Sequence, residues 1–310
     1  MTFSVVKKAP AVRFLSDGRM DFLTRDERVI SVIRRGRDDL AFFAKTFLSG
    51  SFYEKMTSQR SEVCRLFDDR GLPMVAVMAW RGFGKSTLFN AAIIREVCYR
   101  VSRFPLYVAA GFDLAVQQTE DIKAELMTND LLRDAFGSFK QTSVSVDDMK
   151  FGFSKKGYFL VDPLTEEPFA FVMPKGAGQK VRGLNVRIGG VKCRPDFVGV
   201  DDLEDDEEVW NDQSRRKLWM WFNGALKHVV PKQRPTGRGD ERGRWPMPVD
   251  VEGWRPPWRM VVLDTLKHPD CLIAKLMSQP GWKAVRMPRA EQGPDGSWRS
   301  CVPELFSDAF

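Results

Sequence analysis

Gly84-Lys85-Ser86-Thr87 lies between an apolar run at 73–79 and a helical pattern at 87–101. These residue types, placed between a strand and a helix, can hold a phosphate chain. Gly84 lets the backbone approach a phosphate closely. The first N–H groups of the helix then point at phosphate oxygens, and the helix dipole favours negative charge there. Lys85 would reach the β- and γ-phosphates, and Ser86 would give an oxygen to Mg²⁺. Gly82 and Thr87 complete the loop. Ala79 stands where the usual first glycine of such a loop would be.

A second group of residues suits the same chemistry. Residues 197–200 are an apolar run that ends in Asp201-Asp202-Leu203-Glu204. Asp201 would hold the water shell of Mg²⁺, and Asp202 or Glu204 would orient the attacking water. The same segment also fits a strand followed by an acidic helix start, since Asp205, Asp206, Glu207 and Glu208 come next. Arg81, inside the loop, would stabilise γ-phosphate charge or fold back on a nearby carboxylate. Arg182 is flanked by Gly178 and Gly183 and would be an arginine finger, a DNA contact or a solvated turn residue. Thr265 follows an apolar run at 259–263, where its hydroxyl would sense the γ-phosphate.

Positioning these groups requires alternating strands and helices. Apolar runs at 73–79, 104–110, 169–173, 197–200 and 259–263 read as strands. Helical patterns read at 87–101, 113–127, 205–226 and 269–277, with Asp113 as an N-cap. The alternation predicts an α/β fold with a mainly parallel sheet flanked by helices. Upstream, residues 1–50 read as an arm and a helix, and 53–70 as a further helix. Residues 51–290 read as the main domain. Residues 231–257, dense in Pro, Gly and Arg, read as a surface excursion.

Composition narrows the class. The chain has 310 residues, 48 Lys and Arg against 41 Asp and Glu, and a net charge of +7. That mild excess suits a polyanionic partner without requiring one. The run at 74–80 is far short of the roughly 20 apolar residues of a membrane span, so no membrane association is expected. The opening residues have no apolar h-region, so no signal peptide is expected there. Five scattered cysteines and two histidines imply neither a disulfide framework nor a zinc site. A reducing, cytoplasmic compartment is expected.

Taken in order, these segments resemble the N-terminal ATPase domain of the large terminase subunit of tailed bacteriophages. The matching segments are residues 81–87, 106–115, 180–185, 194–202 and 262–273, within roughly 38–306. The resemblance implies a P-loop NTPase of the RecA-like, ASCE type. Its activity would be Mg²⁺-dependent ATP hydrolysis that drives double-stranded DNA into a procapsid. The implied partners are duplex DNA, the portal protein and procapsid, the small terminase subunit and further copies in a ring, with a monomer expected for the isolated domain. The implied location is the host cytoplasm. Thr265 would couple hydrolysis to motion, and Gln59, or else Phe52 or Tyr53, would contact adenine. The acidic motif departs from the family's usual Asp-Glu, and Asp264-Thr265 stands where Gly-Thr is usual. Residues 291–310 are expected to be a linker toward a nuclease domain, with no nuclease site in this chain.

Two other readings remain open. One is a helicase- or recombinase-type DNA-processing ATPase. The other is an assembly module that binds ATP without turnover. The arginine-rich excursion adds a test of its own. If it contacts DNA, changing Arg238, Arg242 and Arg244 to Ala flattens the salt dependence of duplex binding by about one unit of slope per lost phosphate contact. An unchanged slope removes the excursion from the interface.

Overall fold

The computed structural model describes residues 9–15, 18–142, 145–146, 149–150, 157–231 and 258–306. The main sheet has eight strands: β1 (Met74–Ala79), β2 (Pro105–Ala109), β3 (Lys140–Thr142), β4 (Tyr158–Val161), β5 (Pro168–Gly176), β6 (Phe197–Asp201), β7 (Arg259–Asp264) and β8 (Lys283–Met287). Their order across the sheet is β8-β1-β7-β6-β2-β5-β4-β3. Strands β8 through β5 in that order run parallel. β4 and β3 extend the edge antiparallel. The architecture is therefore mixed α/β, with a mostly parallel sheet. The antiparallel edge was not legible in the sequence, because β3 is three polar residues and β4 is an apolar run of only four.

Helices cover both faces. On one side lie α1 (Glu27–Asp38), α2 (Leu40–Phe47), α3 (Ser58–Asp68), α4 (Lys85–Cys98), α5 (Phe112–Thr128) and α6 (Asp130–Phe136). Their buried residues join Val75, Val77, Tyr107, Val261 and Leu263 in one core. On the other side lie α7 (Asp212–Gly224) and α8 (Leu272–Leu276). These pack on Ala76, Leu106, Val198, Val200 and Val262. Alternate residues of each strand face alternate cores, and both faces are buried, so the strands read as continuous apolar runs.

Two devices hold the sheet to its helices at the end opposite the candidate site. The Asp196 carboxylate is buried and accepts from the Ser102 hydroxyl and from the N–H groups of Arg103 and Phe104, which sets the start of β2. Arg259 is buried at the start of β7. Its guanidinium donates to the carbonyls of Leu66 (2.9 Å), Phe67 (2.6 Å) and Leu72 (3.2 Å). Two of these are carbonyls at the C-terminus of α3 that no turn of that helix can satisfy. Burial lowers the Arg259 pKa to about 10.

The described structure differs from expectation at several boundaries. Helix α5 starts at Phe112 with Gly111 as its cap, so Asp113 lies within the first turn. The helical pattern at 205–226 splits into a 3₁₀ turn, Glu208–Trp210, and α7 capped by Asn211. Residues 291–306, expected as a linker, fold back on the domain. Ala290–Gln292 pairs with Trp298–Ser300, Glu304 accepts from the Ser58 N–H at the start of α3, and the Phe306 ring meets Trp80 at 5.5 Å. All but residue 231 of the excursion at 231–257 lies outside the described residues.

One close approach fixes α4 on the sheet. A Cβ placed on Gly199 would come within 1.7 Å of Phe89 Cε1. The Phe89 ring, on α4, therefore lies directly over β6, edge-on to Tyr107 at 5.5 Å. Gly199→Ala is expected to cost about 3 kcal/mol or more, because the core cannot yield that distance without moving the helix. Denaturant unfolding of the variant checks this; a loss below 1 kcal/mol, the low end of overpacking costs, would show that α4 is not seated there.

Candidate functional site

All the candidate groups except Phe52, Tyr53, Gln59 and Arg182 come from the C-terminal ends of β1, β6 and β7. Ligands of parallel α/β sheets gather at that edge. The loop after β1 ends at Gly84, which has φ +85°, a left-handed conformation that favours glycine, and helix α4 follows. No side chain caps that helix start. Its N–H groups are therefore open toward an anion. Arg60, on α3, braces the loop from below by donating from Nε to the Phe83 carbonyl at 2.8 Å. Sequence reading missed Arg60, because nothing in the local pattern ties α3 to the loop.

The Lys85 ammonium is buried and donates to Thr265 Oγ1 at 2.7 Å and to the Trp80 carbonyl at 3.4 Å. This joins the loop to the end of β7. Asp201 is buried at the end of β6. Its Oδ2 accepts from the Tyr107 hydroxyl at 2.7 Å, and Ser86 lies beside its side chain. Its Oδ1 has no hydrogen-bond partner among the described residues. Burial pushes the Asp201 pKa above the ordinary carboxylate value, with Ser86 and Tyr107 opposing.

A free carboxylate oxygen beside a serine hydroxyl is a suitable donor pair for Mg²⁺, which keeps waters and takes the rest of its shell from phosphates. Among the described residues no cluster of three His, Cys, Asp or Glu side chains could cage a metal. A magnesium shared with a nucleotide does not need one.

Asp264 organises the acidic side of the site. It is fully buried. Its Oδ2 accepts from the Leu203 N–H at 3.0 Å, its Oδ1 from the Thr265 N–H at 2.7 Å, and its carboxyl is hydrogen-bonded to Asp202. Burial and the neighbouring Asp202 push the Asp264 pKa well above the ordinary carboxylate value. For Asp202 burial acts upward, but the bond with Asp264 and the charges of Lys267 and Lys85 outweigh it and hold the pKa below normal. Asp202 has φ +45°, unusual for a residue with a side chain, and its N–H donates to the Leu263 carbonyl at 3.0 Å.

Lys267 supplies the matching positive charge. Its side chain is 8% exposed, with Nζ 3.4 Å from Asp202 Oδ1, 3.6 Å from Asp206 Oδ1 and 4.0 Å from Asp264 Oδ1. It also donates to the Glu204 carbonyl. Sequence reading missed Lys267; the signal was its place three residues after Asp264. Arg81 folds back on Asp206 at 2.6 Å at an exposed position. Glu204 is buried, and its Oε2 accepts from the Leu272 N–H at 2.6 Å at the start of α8. Burial raises the Glu204 pKa, with the Leu272 N–H and Lys267 opposing.

Several of these groups line an open cleft of about 500 Å³, among them Arg81, Gly82, Gly84, Lys85, Ser86, Thr87, Asp202, Glu204 and Lys267, with Asp201 and Asp264 buried behind it. Thr265 meets it through Lys85. The other expected residues lie elsewhere: Phe52 lines a separate cavity beside α4, and Tyr53 is exposed. Gln59 donates to the Pro288 carbonyl at 2.7 Å and accepts from Trp80 Nε1 at 3.3 Å, so both ends of its amide are engaged. Arg182 donates twice to the Gly224 carbonyl, at 2.7 and 3.1 Å, closing the C-terminus of α7.

No family model matches the sequence. No curated protein matches it. Among solved structures, a point mutant of a Thermus phage large terminase ATPase domain is similar, with a TM-score of 0.42 and 9% identity over 69% of this chain and 75% of that one. No helix of the described residues is long and apolar enough to cross a membrane.

Lys267 is the cation nearest to Asp202 and Asp264. Lys267→Met is expected to lower stability by about 2 kcal/mol at pH 7, since the carboxylates would lose their nearest cation. The loss should shrink as pH falls, because protonated carboxyls no longer need a partner. Asp202 and Asp206 are held below the ordinary carboxylate value, so the shrinkage is expected mainly below pH 4; urea midpoints of parent and variant at pH 7, pH 4 and about pH 2 check this, and a loss that grows toward pH 2 would contradict it.

Proposed function

We propose that this chain is a Mg²⁺-dependent ATPase of the P-loop type, and that it serves as the motor of a viral DNA-packaging terminase. The observation that carries the ATPase reading is the juxtaposition of Lys85, Ser86 and Asp201 at an uncapped helix start. The packaging role rests on the order of the matching segments along the sequence.

In this reading the N–H groups at the start of α4 cradle the phosphates, and Lys85 moves from Thr265 to the β- and γ-oxygens. Ser86 and Asp201 hold Mg²⁺, with Tyr107 fixing the orientation of Asp201. The metal, when bound, supplies charge that offsets the negative charge developing on the phosphoryl oxygens. Glu204 takes the proton of the attacking water, its basicity raised by burial. The water oxygen bonds to the γ-phosphorus, the bond to the β–γ bridging oxygen breaks, and ADP and phosphate leave. Asp202 is committed to Asp264 and Lys267 and serves to hold that wall in place. Arg81 moves from Asp206 to the γ-phosphate. Freed of Lys85, Thr265 reports the change to β7. Duplex DNA would be held through phosphate contacts, since a motor must pass every sequence.

One observation favours a second reading. Glu204 already caps α8, which suits a module that binds ATP and assembles without turning it over. Steady-state hydrolysis separates the two. With Mg²⁺ and linear duplex DNA, the parent is expected to turn over ATP and Lys85→Ala to lose at least about 100-fold, on the scale of one lost phosphate-stabilising group. A rate per molecule that rises with protein concentration would indicate ring assembly. Tight ATP binding without turnover would favour the assembly module, and no ATP binding would remove the P-loop reading.

A further inference from the structure

Three neighbouring residues at the start of α3 reach two different parts of the chain. The Ser58 N–H donates to the Glu304 carboxylate at 2.9 Å, and the Gln59 amide donates to the Pro288 carbonyl at 2.7 Å. Gln59 also accepts from Trp80 Nε1 at 3.3 Å, and Arg60 donates to the Phe83 carbonyl at 2.8 Å. Glu304 and Pro288 belong to residues 288–306, which follow β8. Trp80 and Phe83 belong to the phosphate loop. The start of α3 therefore stands between the loop and the segment that folds back on it.

That segment is closed on itself. Ala290–Gln292 pairs with Trp298–Ser300, the Cys301 N–H donates to the Arg289 carbonyl at 2.9 Å, and Val302 is fully buried. The Arg289 guanidinium sits over the Phe306 ring, 4.2 Å from its centre. Both ends of the segment thus meet, and they meet at Trp80. Phe306 packs edge-on against the indole at 5.5 Å, and Pro288 is tied to the indole N–H through Gln59.

Trp80 is the first residue after β1. Its ring lies against Phe83 at 5.8 Å, and a Cβ on Gly82 would stand 3.3 Å from its Cζ3. Its carbonyl accepts from the Phe83 N–H at 3.3 Å and from the Lys85 ammonium at 3.4 Å. An indole is large and rigid, and its N–H needs an acceptor when partly buried. Where the indole sits therefore decides where the carbonyl lies, and with it the resting place of Lys85. None of residues 288–306 lines the cleft at the loop. Their influence on it passes through Trp80 and α3.

We propose that residues 288–306 are a strap that positions the phosphate loop, docked on Trp80 by Gln59 and Phe306, and that strap docking and loop occupancy favour each other. A phosphate held by the loop N–H groups keeps Trp80 in place for the strap. By linkage, a docked strap strengthens phosphate binding by the same factor. The coupling rests on the reading of the loop as a phosphate site; the positioning does not.

Amide hydrogen exchange over residues 80–88 of the free protein tests the positioning. Phe306 is half-buried at the surface, so its truncation leaves the core in place. Phe306→Ala and Gln59→Leu are expected to speed loop exchange at least about threefold, the scale of one lost aromatic pair or hydrogen bond. Phe306→Tyr keeps the ring and should match the parent. Leu132→Ala, which removes core packing under α6 and none at the loop, should also leave loop exchange unchanged. Parent-rate exchange in Phe306→Ala or Gln59→Leu, or equal acceleration by Leu132→Ala, would overturn the proposal. Inorganic tripolyphosphate with Mg²⁺ tests the coupling. It should slow exchange over residues 298–306 in the parent and not in Lys85→Ala, and should bind Phe306→Ala at least about threefold more weakly, by reciprocity. Tripolyphosphate that binds the parent without slowing that segment would overturn the coupling and leave the phosphate reading intact. No binding to the parent would overturn the phosphate reading and the coupling together.

Discussion

The Asp264 carboxyl is buried at the end of β7, and two backbone N–H groups, from Leu203 and Thr265, close on it. A carboxyl taken this far from water needs partners for every oxygen, and burying a second acid beside it would be prohibitive without a shared proton or a cation. Both are present: the bond to Asp202 and the ammonium of Lys267. This one cluster fixes the turn after β6, the turn after β7 and the left-handed backbone of Asp202. The acidic wall facing the phosphate loop exists because that carboxyl cannot be elsewhere.

The strand order gives the cluster its reach. β7 lies between β1, which leads into the phosphate loop, and β6, which ends in Asp201. Any shift at the loop is therefore felt first at the end of β7, through the Lys85–Thr265 bond. Helix α4 is buried on nearly every side, so its start cannot drift. Phe89 over Gly199 sets its height on the sheet, and that height brings Ser86 to Asp201. Packing far from the phosphates thus decides geometry at the phosphates.

The charge distribution divides the edge of the sheet into two compartments. The loop offers Lys85 and open N–H groups to an anion, while the cleft between α4 and α5 carries carboxylates. Both open at Ser86 and Thr87.

The sequence by itself determined the local chemistry. Gly84-Lys85-Ser86 can be read without a structure, because a turn requiring a positive φ and a helix start are properties of neighbouring residues. The alternation of apolar runs and helices likewise announced a parallel sheet, since strands buried on both faces must be apolar throughout. Boundaries slipped where the signal was short, as at Asp113 and Glu208. Only the tertiary structure decided the rest. It brought Lys267 to Asp202 and Asp206 across more than sixty residues of chain. It engaged Gln59 with Pro288 and Trp80, sent Arg182 to a helix end, and turned residues 291–306 back onto α3 and Trp80. Long side chains find partners by spatial proximity, and proximity across a sheet follows strand order, which no local pattern encodes.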